Sequence, residues 1–233
     1  MTELLNIIFA LLTLTILEIV LGIDNLVFLA IMTQRLPKHQ QKSARRWGLT
    51  FAWVTRLLLL FCAVWLTTLT APLFHIFDLD ISGRDIFMLL GGLFLLYKAT
   101  QEMHAELESH IANKAAARYS HFSVVVAQIA ILDIIFSLDS VLTAIGMTRH
   151  FWLMATAITI AILTMIFASE PLSDFIERHP TIKILALSFL LLIGMVLVAD
   201  AFGFYIPRGY LYFAMGFSLF VEFMNMLRLK KAR

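Results

Sequence analysis

The chain has almost no cysteine and few charged residues for its length. Its 233 residues include a single cysteine, Cys62, which excludes a disulfide within the chain and a cluster of thiolate metal ligands. Charged residues make up 15% of the chain, well below the roughly one quarter that is typical of soluble domains. Hydrophobic residues make up 61%, and the mean hydropathy is +0.87. This composition predicts an integral membrane protein.

The sequence also lacks the short motifs of common enzyme chemistry. It has no HExxH motif, no glycine-rich phosphate loop and no arrangement typical of a catalytic nucleophile. The formal net charge of +2 is too small to predict nucleic-acid binding. No basic segment precedes the first apolar stretch, so we expect no cleaved signal peptide. We therefore expect neither an enzyme nor a nucleic-acid-binding protein.

Seven apolar segments predict helices that cross the bilayer, a distance that takes about 20 helical residues. The third segment is short and the fourth is long, so their ends are the hardest to place. The predicted fold class is all-α, a polytopic membrane protein with seven transmembrane helices. The segments are 5–33, 48–70, 86–101, 122–147, 151–171, 182–202 and 209–227.

Basic residues predict the orientation of the chain, because cytoplasmic loops carry an excess of Lys and Arg. The loop after the first span and the C-terminal tail are both basic, and seven spans place them on the same side. The opposite loop, at 71–85, is acidic. The N-terminus is therefore predicted outside and the C-terminus in the cytoplasm. The basic residues are Arg35, Lys38, Lys42, Arg45 and Arg46 in the loop, and Arg228, Lys230, Lys231 and Arg233 in the tail.

Two of the apolar segments carry the same arrangement of acids. In each, two carboxylates stand six residues apart, and a small residue with a polar oxygen follows the second. Residues seven apart share a face of a helix, so each motif places an acid and a neutral oxygen on one stripe. The second acid lies about 100° round the helix. The motifs are Glu18, Asp24 and Asn25 in the first span, and Asp133, Asp139 and Ser140 in the fourth.

Acids inside a membrane need compensation. A charge near the bilayer centre costs roughly 2.5–3.5 kcal/mol on insertion scales, so four unpaired acids would cost on the order of 10 kcal/mol. A bound cation or a proton would offset this cost. Carboxylate, amide and hydroxyl oxygens are hard ligands that suit Mg²⁺, Ca²⁺ or Mn²⁺. The six motif residues are therefore predicted metal ligands, with the choice among these ions left open.

A competing interpretation pairs the acids with buried bases. Arg56, nine residues into the second span, is the obvious partner for Glu18 or Asp24. One guanidinium does not neutralise four carboxylates, and no other base is predicted at mid-depth. Arg56 is therefore predicted to compensate charge beside the metal ligands.

The paired motifs also indicate an inverted repeat. Spans 1 and 4 each open a group of three, and an odd number makes the second group cross in the opposite sense. Sites in such proteins lie near the midplane where the halves meet. Gly194 of span 6 occupies a position that resembles that of Gly91 and Gly92 in span 3. The single predicted domain, 1–233, divides into a first repeat at 1–101, a cytoplasmic linker at 102–121, a second repeat at 122–202, and a seventh helix with a basic tail at 203–233.

The chain resembles the TerC family of integral membrane proteins, in the wider LysE transporter superfamily, and is similar to the short members without an appended soluble domain. The resemblance rests on Glu-Ile-Val-Leu-Gly-Ile-Asp-Asn at 18–25, Asp-Ile-Ile-Phe-Ser-Leu-Asp-Ser at 133–140 and Arg-Asp-x₅-Gly-Gly-Leu-Phe-Leu at 84–95. It implies a seven-span inner-membrane protein associated with metal-ion efflux, notably of manganese, and with tellurium resistance. The acidic motifs of the family fall on Glu18, Asp24, Asn25, Asp133, Asp139 and Ser140.

The leading hypothesis is a secondary carrier that exports a divalent cation, with Mn²⁺ favoured, in exchange for protons. In a second hypothesis the protein is a non-transporting membrane partner that helps to insert or metalate other proteins, and the acids form a static site. A third makes it an exporter of a cationic organic solute. The expected partners are the lipid bilayer and the metal ion. The sequence leaves the coupling ion and the oligomeric state open.

Overall fold

The computed structural model describes residues 2–62, 72–76, 79–111, 121–147 and 150–231. Within these ranges each of the seven predicted apolar segments contains an α-helix, and the all-α class is confirmed. The helices are α1 (Thr2–Thr33), α2 (Lys38–Phe61), α3 (Gly83–Ile111), α4 (Phe122–Met147), α5 (Phe151–Arg178), α6 (Pro180–Ala201) and α7 (Arg208–Lys231).

Four of these helices are long and apolar enough to cross a membrane. They contain the segments Leu5–Thr33, Phe151–Arg178, Pro180–Ala201 and Gly209–Arg228. The apolar part of α4, Phe122–Ser137, is shorter. Helices α2, α3 and α4 do not meet this criterion over the residues that the structure describes, so seven membrane-crossing helices stay a prediction.

The predicted loop between the second and third spans contains a small antiparallel hairpin that the sequence analysis did not predict. Strand β1 (Pro72–Ile76) pairs with β2 (Leu79–Ser82). The hairpin leads into α3 through a capping box, because the Asp85 carboxylate accepts hydrogen bonds from the Ser82 backbone N–H at 2.9 Å and hydroxyl at 2.6 Å. Helix α3 then continues to Ile111, through the first half of the segment predicted as a linker. Residues 112–120 of that segment lie outside the described ranges.

Contacts between distant parts of the chain hold the helices together. Helix α1 packs against α5 and α4, α2 packs against α4 and α5, and α3 packs against α6. Helix α7 contacts mainly α6, and most of its surface is exposed. The large apolar side chains that α7 exposes suit a lipid environment. The buried core therefore lies among α1 to α6, with α7 at the periphery.

Ion pairs join the helices at one end of the bundle, where α1, α3 and α5 end and α2 and α6 begin. This is the end that carries the basic loop and is predicted to be cytoplasmic. Burial raises the pKa of the Glu102 carboxyl, and the charge of Arg35 opposes that rise. The pairs are Arg35–Glu102 (2.7 Å), Lys38–Glu177 (3.3 Å), Lys42–Glu170 (2.9 Å) and Lys183–Glu106 (2.6 Å).

Candidate functional site

A cluster of buried charges lies between α1, α2 and α4. Arg56 of α2 is 1% exposed, and its Nη1 donates a hydrogen bond to Oε2 of Glu18 on α1 at 2.9 Å. Its Nη2 donates to Oδ1 of Asp133 on α4 at 2.9 Å, and its Nε donates to Oδ2 of the same residue at 3.5 Å. Glu18 and Asp133 are 1% and 5% exposed. One guanidinium thus connects the first acid of one motif to the first acid of the other.

Asn25 belongs to the same cluster. Its Nδ2 donates a hydrogen bond to Oδ1 of Asp133 at 3.1 Å. Glu18 and Asn25 are seven residues apart in α1, so both side chains lie on one face of the helix. The shared face predicted for this motif is therefore the face that meets Arg56 and Asp133.

The pattern of α2 explains why Arg56 points inward. Leu49, Ala52, Arg56 and Leu60 are all buried and recur every three or four residues, which makes one stripe of the helix. A Cβ atom added at Gly48 beside this stripe would lie 2.8 Å from a side-chain carbon of α4. The small residues bring α2 close to α4, and the stripe directs the guanidinium to Asp133.

In the described part of the chain, two acceptor oxygens of the cluster are left without a hydrogen-bond donor. If both carboxyls are ionised, two negative charges face one positive charge. Oε1 of Glu18 and Oδ1 of Asn25 are buried and have no hydrogen-bond donor among the described residues. A cavity of about 10 Å³ beside the cluster is lined by Asn25, Asp133 and apolar residues. That volume is about the smallest that holds one water molecule. Buried oxygens without donors are the groups that a cation would satisfy.

Asp24 lines a different cavity. That cavity, of about 230 Å³, lies between α1, α5, α6 and α7, and all its other lining residues are apolar, including Phe175, Phe189 and Met215. Asp24 lies about 100° round α1 from the face that carries Asn25. The geometry of the helix accounts for the separation of the second acid from the buried cluster.

The remaining predicted ligands lie on α4. Ser140 is buried, and its hydroxyl donates to the backbone carbonyl of Ser137 at 3.2 Å. The side chain of Asp139 lies outside the described part of the structure. Within the part that is described, no group of three Asp, Glu, His or Cys side chains could hold a metal ion. The structure therefore brings together Glu18, Asn25, Asp133 and Arg56, and the metal-ligand role of all six motif residues stays a prediction.

The sequence analysis did not predict the contacts of several polar residues near the ion-paired end. Arg45 of α2 is 5% exposed, and its Nη1 donates to the hydroxyl of Ser173 on α5 at 3.2 Å. Glu102 and Glu106 each bind a basic residue of another segment. The available signal was their i, i+4 spacing, which puts both glutamates on one face of a helix.

Comparisons with known proteins agree with the earlier resemblance. A family model described as "Integral membrane protein TerC family" matches residues 4–233. The UPF0053 inner membrane protein YoaE of Escherichia coli strain K12 is 53% identical over 218 residues, which cover 93% of this chain and 42% of YoaE. The UPF0053 inner membrane protein YgdQ of the same strain is 51% identical over 219 residues, which cover 94% of this chain and 92% of YgdQ. A UPF0053 protein of Haemophilus influenzae is 50% identical over 226 residues, which cover 95% of both chains. The chain thus spans less than half the length of YoaE, and no solved structure matches it.

Proposed function

The chain belongs to the TerC family of integral membrane proteins, and we propose that it is a secondary transporter that exports a divalent metal cation, with Mn²⁺ favoured, in exchange for protons. The observation that carries this proposal is the buried cluster in which Glu18 and Asp133 share the single base Arg56. Its relatives YoaE and YgdQ are named as inner membrane proteins. We place this chain in the same membrane, with the basic, ion-paired end in the cytoplasm.

The chemistry of the cluster favours a cation as substrate. Burying an ion pair is costly, and an excess of buried negative charge costs more unless a positive charge arrives. The oxygens without donors, on Glu18 and Asn25, are hard ligands that suit Mn²⁺, Mg²⁺ or Ca²⁺. We propose that Asp24, Asp139 and Ser140 complete the ligand set during transport. Because Asp24 lies apart from the cluster in this conformation, its participation requires a rearrangement of α1.

The helix contacts support the proposed 3+3 inverted repeat with one additional helix. A two-fold axis that relates α1–α3 to α4–α6 would pair α1 with α4, α2 with α5 and α3 with α6. It would also make the contact of α1 with α5 equivalent to that of α2 with α4. All of these helix pairs are in contact. The cluster joins α1 to α4 and would lie near such an axis, as do the substrate sites of inverted-repeat transporters.

Reconstitution of the purified protein tests the proposal. Proteoliposomes that contain the wild-type chain should take up Mn²⁺ when an opposing proton gradient is imposed. Glu18→Gln and Asp133→Asn should lower the rate by about tenfold or more, because one charged ligand contributes roughly 1.5–3 kcal/mol. Glu108→Gln on α3 and Asp174→Asn on α5 are the matched controls, since they make the same changes at exposed positions and should leave the rate unchanged.

The outcomes of this experiment separate the proposed function from its alternatives. Uptake by purified protein without any other polypeptide excludes a partner that only inserts or metalates other proteins. Uptake of an organic ammonium ion with no uptake of Mn²⁺ would favour the exporter of a cationic organic solute. If Glu18→Gln and Asp133→Asn both transport Mn²⁺ at the wild-type rate, the buried cluster is not the site.

A further inference from the structure

Arg56 occupies the centre of the buried cluster, between the two carboxylates that a transported cation would need. Its guanidinium lies 2.9 Å from Oε2 of Glu18 and 2.9 Å from Oδ1 of Asp133. A cation bound by both carboxylates would have to take the place of this group. We propose that Arg56 is a built-in competitor of the transported ion, which fills the empty site, leaves when the ion binds, and thereby selects divalent over monovalent cations. This inference rests on the proposed function.

The charges of the cluster explain the selectivity. With Arg56 in place and both carboxyls ionised, two negative charges face one positive charge. A monovalent ion that displaced Arg56 would only restore the charge that the guanidinium already supplies. The guanidinium has the further advantage of being tethered to α2, which gives it a high effective concentration at the site. A divalent ion balances both carboxylates and gains the additional Coulomb energy, which is large where water is excluded.

The available space makes displacement necessary. The cavity beside Asn25 and Asp133 measures about 10 Å³, and its other lining residues, such as Leu29 and Leu132, are apolar. A hydrated ion does not fit there while the guanidinium is in place. Arg56 already binds both carboxylate oxygens of Asp133 and one oxygen of Glu18. A cation that uses both acids therefore binds only after the guanidinium has moved.

Displacement of Arg56 also has a structural consequence. The side chain comes from α2 and connects α1 to α4, which belong to different proposed repeats. When the Arg56 side chain leaves, α1 and α4 keep the hydrogen bond from Asn25 to Asp133, which is the remaining polar contact of the cluster among the described residues. Binding of the ion would therefore loosen one connection between the halves, and the return of Arg56 would help to expel the ion. The same residue would set both ion selectivity and ion release.

Equilibrium Mn²⁺ binding to the purified full-length chain in lipid nanodiscs tests this role. Binding to the wild type should be the same in sodium chloride and in choline chloride, because Na⁺ does not displace Arg56. In choline chloride, Arg56→Gln should bind Mn²⁺ about tenfold more tightly, which is within the usual range of coupling between two binding events. Sodium should weaken binding to this variant, because Na⁺ now competes for two unpaired carboxylates. Arg46→Gln, at an exposed position of the same helix, should change neither quantity.

A second variant keeps the test decisive if Arg56→Gln does not fold. Arg56→Lys keeps the charge but loses the planar fork that binds two carboxylates at once, so it should compete less well and raise the Mn²⁺ affinity by a smaller factor. Affinity equal to or weaker than that of the wild type in the folded Arg56 variants would overturn the inference. A wild-type chain that binds no divalent ion would instead contradict the proposed function, so the two failures are distinguishable.

Discussion

Each charged side chain of the buried cluster depends on the others. Removing one partner of a buried ion pair typically costs 3–5 kcal/mol, because the remaining charge is left uncompensated. Arg56 has two acidic partners, so each acid loses its base if Arg56 is removed, whereas loss of one acid still leaves Arg56 paired. Substitutions of Glu18 or Asp133 should therefore destabilise the protein less than removal of Arg56 does. For the same reason the Arg56 variants include Arg56→Lys, which keeps the positive charge.

Asp24 provides a prediction at the residue scale that is independent of the Arg56 cluster. We expect Asp24→Asn to abolish the protection of cells from excess Mn²⁺ while leaving the amount of protein in the membrane unchanged. The amide has nearly the same size as the carboxylate, so the apolar cavity around it keeps its packing while the negative charge of the proposed ligand is lost. Growth in graded Mn²⁺, with membrane levels measured by immunoblot, checks this expectation.

Asp174→Asn is the matched control for Asp24→Asn, because it makes the same change at an exposed site. The sequence motif predicts the same loss for Asp139→Asn. Cells that carry Asp24→Asn and still grow like the parent strain would show that Asp24 is not a ligand of the transported ion.

At the scale of helices, the contact between α3 and α6 depends on two glycines. A Cβ atom added at Gly92 would lie 2.8 Å from the backbone oxygen of Gly194, and one added at Gly194 would lie 3.1 Å from the backbone oxygen of Gly92. The approach is therefore reciprocal and involves backbone atoms that have little freedom to move. Small residues at membrane helix interfaces allow this close approach.

We expect Gly92→Ala to destabilise the protein by about 1–3 kcal/mol, because the added methyl group overpacks the contact between α3 and α6. Thermal unfolding of the purified variant in detergent measures the change. Gly216→Ala on the peripheral helix α7 is the control, since a Cβ there meets no atom within 4 Å. Alanine is also the better helix former, so the control should be neutral or slightly stabilising. Equal melting temperatures for the two variants would contradict the proposed tightness of this contact.

The sequence predicted the helices better than it predicted their neighbours. Long apolar runs predict membrane helices, because a segment buried in lipid needs apolar side chains and must satisfy its backbone hydrogen bonds within itself. Helical periodicity also predicted that Glu18 and Asn25 share a face and that Asp24 does not. Periodicity does not reveal which helix packs against that face. Arg56 was therefore expected to pair with Glu18 or Asp24, and its bond to Asp133, 77 residues away, was not predicted.

The hairpin between α2 and α3 escaped prediction for a related reason. The segment from Pro72 to Ser82 contains acids and apolar residues in a short stretch between two helices, and a two-stranded hairpin gives a weak sequence signal. Its structure depends on the pairing of two short strands, which the amino-acid pattern does not specify. The acids of that segment helped to predict the orientation of the chain, whereas the pairing of its strands is evident only in the structure.

At the scale of the whole molecule, the ion pairs at the predicted cytoplasmic end connect the two proposed repeats. Three of the four pairs join a helix of α1–α3 to a helix of α4–α6, and they involve Lys38, Lys42 and Lys183. The fourth, Arg35–Glu102, connects the end of α1 to α3, so it stays within the group α1–α3. A transporter that works by moving one repeat against the other must break the first kind of pair to open this end, and it can keep the second kind.

This difference allows a direct test of the motion. In a chain with Cys62→Ser, a short bismaleimide that links Lys38→Cys to Glu177→Cys should stop Mn²⁺ uptake into proteoliposomes, because it holds the two repeats together at this end. The same reagent on Arg35→Cys with Glu102→Cys should leave uptake near the rate of the untreated variant, because it links the end of α1 to α3 within one group of helices. Comparing each variant before and after cross-linking removes the effect of the substitutions themselves. Full transport by the protein linked between positions 38 and 177 would mean that the two repeats do not separate at the ion-paired end. Transport would then depend on a motion of the opposite end or of individual helices.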